Sequence, residues 1–441
     1  MYITPSIRIS LASFRLNMMS QNDFYIPEEL TMNILSFLPA KEVCKNRILC
    51  KSVLENSKFW KSGQLHLSRV RDKFEGVIIS CNYDYEGPSF NSVQHFSNDE
   101  YQIFPEEFVL PNKGDKILGC TDGLLIYNIY HQWIRDGVKY YEYENHYFQN
   151  GFAYINIINP MIHDQIRNIS YPPSTCRYMD FVRAEIMFDE EKFGNYKLIC
   201  FATTNEWSEN DVRFNCCEVG VCDDVGIFVY CSRKDTWTVT KYSQLDIVNR
   251  LHINPDTHIV LIDKTVYFVT KSPSFAIRPF IFGITIDDNG VDLKTIQKIS
   301  LPSDLDIKNH RILMDIAHWR KVKKNPTFCL TFFENGVFRV WIMDDLKNGI
   351  WSKQLVDISI ESMGFSSLVS RRYAHEFMII NDDTLVFYQN KRNWKHLHMY
   401  LYMYNWKTGE KDFFSKKLKK ITWFTYVTKF FPYTNTLLTC N

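Results

Sequence analysis

One unit recurs along this chain and limits what it can fold into. It is a hydrophobic strand, a tight polar turn, and a second strand that often opens or closes on an aromatic residue. Gly151–Asn159 runs through Met161–Asp164 into Gln165–Tyr171, and Val225–Tyr230 runs through Ser232–Asp235 into Trp237–Tyr242. Phe280–Ile286 turns at Asp287–Gly290 into Leu293–Leu301, and Phe338–Met343 turns at Lys347–Gly349 into Trp351–Val356. Met399–Trp406 turns at Lys407–Gly409 into Lys411–Phe414. Short apolar runs bounded by Asp, Asn and Gly are strands and turns, because those residues bend the backbone at little steric cost.

Each unit also has an apolar hairpin upstream, over Lys116–Asn128, Tyr196–Thr204, His258–Thr270, Pro326–Phe333 and Glu376–Phe387. Four strands per unit, repeating at steps of roughly 50 to 70 residues, predict a mainly β chain folded as a β-propeller-like ring. Gly76–Pro111 supplies a further unit, for about six blades in all. A pair of β-sandwiches is the competing architecture, and the regular step argues against it. The segment Ile421–Leu438 carries Trp423, Phe424, Tyr426, Phe430 and Phe431, too apolar for a free tail. It is expected to pair beside strands from Gly76–Phe96, closing the ring where unpaired edges would otherwise remain.

Composition narrows the class. With 441 residues the chain is long enough for one large β domain and a small module. Net charge of +1 supplies no global field for nucleic acid or a membrane surface. The 12 cysteines form no Cys-x-x-Cys pair, which predicts reduced thiols in the cytoplasm or nucleus. Cys216, Cys217 and Cys222 lack metal-ligand spacing, and no run of about 18 apolar residues exists to cross a membrane.

Ahead of the strands, Tyr25–Trp60 has helix grammar. Pro27 suits a first helical position, and Glu28 and Glu29 favour the positive end of the helix. Leu30, Ile34, Phe37 and Leu38 fall on one face, Leu35 widens it, and Pro39 ends the helix. Shorter helices are predicted around Lys41–Leu49 and Lys51–Lys58. So small a unit leaves more apolar surface than it can bury by itself, so it calls for a partner. Residues 1–23, with several serines and no acid before Asp23, are expected to be a disordered leader.

The order Ile26-Pro27-Glu28-Glu29-Leu30, Ile34-Leu35, Leu38-Pro39, Val43-Cys44 and Cys50-Lys51-Ser52 resembles an F-box. The family usually places a tryptophan after the Lys-Ser pair, where this chain has Val53. The resemblance implies an F-box over 24–66 that docks on the Skp adaptor, and through it a cullin, by Pro27, Leu30, Ile34, Leu35, Leu38, Pro39 and Val43. The segment 67–441 resembles the F-box-associated, kelch-like domains of plant proteins. The phrases that carry this are Thr121-Asp122-Gly123-Leu124-Leu125, Ile158-Asn159-Pro160, Asn195-Tyr196-Lys197-Leu198 and Val229-Tyr230-Cys231-Ser232 through Trp237. The aromatic-rich insertion Tyr130–Gln149 and the acidic Phe188–Phe193 depart from that pattern.

No phosphate loop, nucleophile elbow or zinc-protease helix is present in the sequence. His396-Leu397-His398 would put two imidazoles on one strand face, with nothing to complete a metal site. Residues 371–420 hold eleven Lys or Arg against five acids, a basic stretch that reads as charged strand edges or as a contact for an acidic partner. The expectation is a non-catalytic substrate receptor of a Skp–cullin–F-box ubiquitin ligase. It would hold a protein target on the propeller, with no cofactor, metal, nucleic acid or membrane partner. The alternative is a stand-alone propeller enzyme or lectin with a helical cap.

Overall fold

The computed structural model describes residues 76–82, 92–96, 108–109, 116–129, 133–135, 138–140, 154–159, 166–172, 179–189, 195–204, 226–245, 252–253, 257–271, 278–305, 313–319, 327–352, 356–364, 374–393, 396–418 and 427–433. The expected leader (1–23) and F-box (24–66), with Pro27, Leu30, Ile34, Leu35, Leu38, Pro39 and Val43, lie outside the described residues.

In chain order the strands are β1 Gly76–Asn82, β2 Ser92–Phe96, β3 Phe108–Val109, β4 Lys116–Thr121, β5 Leu124–Ile129, β6 Trp133–Arg135, β7 Val138–Tyr140, β8 Tyr154–Ile158 and β9 Ile166–Ser170. They continue with β10 Met179–Phe188, β11 Tyr196–Thr204, β12 Gly226–Cys231, β13 Thr236–Lys241, β14 His252–Ile253, β15 Val260–Ile262, β16 Thr265–Lys271, β17 Phe280–Asp287 and β18 Gly290–Ser300. The last are β19 Leu313–Trp319, β20 Thr327–Glu334, β21 Val337–Asp345, β22 Ile350–Trp351, β23 Val356–Ser359, β24 Ala374–Ile380, β25 Thr384–Asn393, β26 His396–Asn405, β27 Lys411–Leu418 and β28 Val427–Tyr433.

The sheets follow the chain. Their orders are β4-β5-β8-β9, β10-β11-β12-β13, β14-β16-β17-β18 with β15 also on β16, β19-β20-β21-β22 with β23 also on β21, and β24-β25-β26-β27. Antiparallel sheets stacked face to face in sequence order make a five-blade propeller arrangement. A further sheet has the order β28-β1-β2-β3, so it takes strands from both ends of the described chain. In it β28 pairs antiparallel with β1, placing Phe431 opposite Ile78 and Phe430 opposite Ile79. Its neighbours complete the circle, since β24 touches β28 and β28 touches β4. This is the closure expected for Ile421–Leu438.

Burial explains which residues form which strand. A middle strand is covered on both faces, so β20 is buried from Phe328 to Phe333 and reads as a continuous apolar run. An outer strand is not, and β13 is largely exposed. Side-chain alternation then shares each middle strand between two interfaces. On β11, Leu198, Cys200 and Ala202 enter the core shared with the preceding blade. Ile199 and Phe201 enter the core shared with the next. On β20, Phe328, Leu330 and Phe332 face back, while Cys329 and Phe333 face forward. Aromatic pairs cross successive interfaces: Phe201–Phe268 at 5.2 Å, Tyr267–Phe328 at 5.2 Å and Phe338–Phe377 at 5.3 Å between ring centres. Each adds about 0.5–1.5 kcal/mol beyond its buried area.

Two tryptophans on outer strands tie blades together at the rim. Trp237 Nε1 donates to the Ser170 carbonyl at 2.9 Å, and Trp351 Nε1 donates to the Ser300 carbonyl at 2.8 Å. Both acceptors end an outer strand in the same phrase, Ile169-Ser170-Tyr171-Pro172 and Ile299-Ser300-Leu301-Pro302. At Gly119 a side chain is excluded altogether, because a Cβ there would lie 2.0 Å from the Ala184 carbonyl oxygen where β4 meets β10. The hairpin turns Asp122-Gly123 and Asn335-Gly336 hold positive φ at both residues, the geometry that suits the twist of the strands they join.

The structure differs from the sequence reading at three places. Tyr196–Thr204 and Pro326–Phe333 are single strands and not hairpins, and their inner partners are β10 and β19. Both inner strands carry ionisable residues within an apolar run, Arg183 and Glu185 on β10 and Asp315 and His318 on β19, which masks them as strands. The strand expected from Trp351 to Val356 is two short ones, β22 and β23, each paired with β21.

Ending the chain at residue 420 should remove the partner of β1 and uncover the aromatic face that Phe430 and Phe431 bury. We expect aggregation in size-exclusion chromatography. A monomer with the melting temperature of the full chain would show that β28 is dispensable.

Candidate functional site

Strands β4, β10, β15, β19, β24 and β28 are the inner strands of the ring, and the space between them is a cavity of about 520 Å³. Its mouth is formed by hairpin turns that bring Asp122, Arg233, Asp263, Lys264 and Asp288 together. Its wall carries Glu185, His258 and His318, with Phe431 and Pro432 from the closing strand.

The deepest polar groups converge on one residue of β28. An innermost strand has an edge with no neighbour, so alternate N–H and C=O groups point into the channel and must find partners there. The Phe430 N–H donates to Glu376 Oε1 at 2.9 Å. The Phe430 carbonyl accepts from His258 Nε2. Two residues on, the same edge is occupied by Pro432, which has no N–H to satisfy.

Those partners are held in turn from other blades. Asp315 on β19 accepts the His258 backbone N–H at 2.7 Å through Oδ1 and faces His258 Nδ1 at 2.8 Å through Oδ2. Arg183 on β10 lies 3.7 Å from Glu376 and places its guanidinium carbon 5.3 Å from the centre of the Phe431 ring. Arg183, His258, Asp315 and Glu376 are all buried. Burying ionisable groups is costly, and removing either member of the Arg183–Glu376 pair leaves its partner buried and uncompensated, typically a loss of about 3–5 kcal/mol.

Nearer the mouth, Thr121 on β4 donates its hydroxyl to Glu185 Oε1 at 2.7 Å and accepts the Ile186 N–H at 3.1 Å. Glu185 is half-buried and lines the cavity. Burial raises its carboxyl to about 8, with the nearby Asp122 charge adding to the rise and the Thr121 hydrogen bond opposing it. A carboxyl that is largely protonated at neutral pH can donate a hydrogen bond as well as accept one. At the rim, Lys197 Nζ donates to the Asp287 carbonyl at 2.8 Å and to Asp288 Oδ1 at 3.1 Å, and Lys234 Nζ donates to the Asp288 carbonyl at 2.8 Å. These bonds join the turns of adjacent blades. Asp288 is fully exposed, and Lys197 holds its carboxyl below the ordinary value.

Sequence reading identified none of the channel's charged residues. Arg183, Glu185, His258, Asp315 and Glu376 come from four blades and share no local spacing. The available signal was a lone charge inside an apolar run, as in Phe181-Val182-Arg183-Ala184-Glu185-Ile186. His396 and His398 lie on β26, opposite Asn393 and Lys391 of β25. Among the described residues no group of three His, Cys, Asp or Glu is placed to hold a metal ion. Cys120, Cys200 and Cys329 are free and buried, and burial pushes their thiols up, which makes them poor nucleophiles. No helix among the described residues is long and apolar enough to cross a membrane.

No protein-family model matches the chain. No curated protein matches it either. Among solved structures, the WD40 domain of SCAP from fission yeast aligns at 9% identity over 75% of this chain and 75% of its own, with a TM-score of 0.32. An exo-beta-1,3-galactanase from Clostridium thermocellum aligns at 9% identity over 82% of this chain and 68% of its own, with a TM-score of 0.33. Prolyl oligopeptidase B from Galerina marginata aligns at 8% identity over 82% of this chain and 56% of its own, with a TM-score of 0.35.

Glu185 makes stability depend on pH. Its folded value lies above that of an unfolded glutamate, about 4.3, so from there to about 8 the folded state holds a proton that the unfolded state has released. This group's contribution therefore falls as pH rises through that window and levels off above it. Glu185→Gln should remove that slope. The variant's melting temperature should gain on the parent's between pH 5 and 8, and parallel curves would show that Glu185 does not titrate in the fold.

Proposed function

We propose that this chain is the substrate-recognition subunit of a Skp–cullin–F-box ubiquitin ligase, built on a six-bladed protein-interaction propeller. On this reading the F-box at 24–66 binds the Skp adaptor, and through it a cullin, by Pro27, Leu30, Ile34, Leu35, Leu38, Pro39 and Val43. The propeller presents a protein target. The sheet β28-β1-β2-β3 is the sixth blade.

The observation that carries the proposal is where the ring begins and ends. Every described strand of the blades and of the closing sheet lies between Gly76 and Tyr433, so among the described residues the sheets close on one another. A self-sufficient ring leaves the preceding segment available for a different partner. The mouth turns, with acidic and basic side chains interleaved, are the natural place for a target, since loops on a rigid scaffold commonly carry binding. The chain itself would not be catalytic. Holding a target lysine near the charged conjugating enzyme raises its effective concentration, and other subunits would carry out the transfer. Such an assembly works in the cytoplasm or nucleus.

Leu35→Ala with Leu38→Ala removes two apolar anchors, each worth about 2 kcal/mol if central to the contact. Affinity capture of the full chain should recover Skp and cullin, and capture by the double variant should fall to background while its melting temperature stays that of the parent. Undiminished capture by the variant excludes the F-box. A parent chain that purifies alone and binds a small sugar or peptide would point to the enzyme or lectin reading.

A further inference from the structure

We infer that His258 and Asp315 form a proton-dependent latch on the closing strand, holding β28 in the ring only while the pair carries the proton shared between them. Donors and acceptors around the ring must match one for one. The imidazole has acceptors on both sides, Asp315 Oδ2 at Nδ1 and the Phe430 carbonyl at Nε2. A carbonyl cannot donate, and Asp315 Oδ1 is already accepting the His258 backbone N–H. Both ring contacts are therefore satisfied only if the pair holds one proton more than a carboxylate beside a neutral imidazole. Placing that proton on Nδ1 or on Oδ2 leaves the count unchanged.

Without it, the one remaining N–H serves either Asp315 or Phe430. The other contact becomes two lone pairs facing each other in a buried place. If the contact to Phe430 is lost, the channel edge of β28 gives up its acceptor-side anchor.

Groups from each neighbouring strand surround the pair. From β28 come the Phe430 carbonyl and the Phe431 ring, whose centre lies 6.5 Å from that of the imidazole and nearly perpendicular to it. From β24 comes Glu376, occupied with the Phe430 N–H. From β10 come Arg183, paired with Glu376, and Glu185 at the level of Thr121. From β19, besides Asp315, comes His318 on the cavity wall. Arg183 and Glu376 balance each other, so loss of the shared proton would leave a net negative charge in the floor of the cavity. A single strand thus depends on a titratable contact reaching it from another blade.

Hydrogen exchange read by mass spectrometry tests this on the full chain. The Glu185→Gln background removes that acid's own titration. Between pH 6 and 9, with rates corrected for base catalysis of the chemical step, protection of Val427–Tyr433 should fall about tenfold, the worth of one buried hydrogen bond. Strands β10 and β24 should change less. Adding Asp315→Asn should flatten the β28 profile. The asparagine Nδ2 donates to His258 Nδ1, its Oδ1 still accepts the backbone N–H, and a neutral imidazole keeps Nε2–H for Phe430. A flat profile before Asp315→Asn is added, or an equal slope after it, overturns the latch. Should the double variant not fold, the Glu185→Gln chain decides alone: a selective fall at β28 supports the latch and an unchanged profile overturns it.

Discussion

A ring of sheets fails at its seam unless the last strand has something to hold on its open edge. Here β28 is satisfied on one side by β1 and on the other by side chains from across the channel. Both polar groups of a single residue, Phe430, are taken, one by Glu376 and one by His258. Each of those is fixed by a second buried charge, Arg183 or Asp315. The apolar interfaces between blades supply most of the cohesion, since burying apolar surface is the dominant favourable term in folding. They already forbid a one-residue slip, which would turn every side chain to the other interface. The polar contacts add to that, and they define which residue of β28 sits at the axis.

Legibility in the sequence differed from strand to strand: the inner strands β4, β15, β24 and β28 fell within expected hairpins or the closing segment, and β10 and β19 did not. The outer and middle strands were readable because their environments are simple. Phe338–Met343 and Val225–Tyr230 are apolar on both faces, and the turns after them are rich in Asp, Asn and Gly. Strands β10 and β19 mix polar and charged side chains into apolar runs and were missed. The clamp was illegible for a second reason. Arg183, His258, Asp315 and Glu376 meet only because the ring curves back on itself, and no spacing along the chain encodes that meeting. The segment 24–66 stands apart, since its reading rests on a pattern of prolines, acids and leucines and not on any described residue.

The rim obeys a repeated rule that the sequence does contain. An Ile-Ser-x-Pro phrase ends one outer strand, and a tryptophan near the start of a later one bonds back to its serine carbonyl, at Trp237–Ser170 and again at Trp351–Ser300. The proline stops the strand after that carbonyl has been offered, so the acceptor is not consumed by further pairing. The turns repeat a device as well. Asp287, Asp345 and Asn405 each cap backbone N–H groups two or three residues on. Local chemistry thus fixes each hairpin, and the tryptophans set the stagger between neighbours.

The seam between β1 and β28 also has a consequence in time. During synthesis β1 leaves the ribosome long before its partner exists, and every blade between them is made first. Until translation has passed Tyr433 the nascent chain holds a curved stack whose first sheet lacks its inner strand, with Ile78 and Ile79 still waiting for their neighbours. Such a chain exposes backbone edges that can pair with another nascent copy on the same messenger. Chaperone protection of the early blades would then matter most in the interval before β28 is made, and slow codons ahead of β28 would lengthen that exposure.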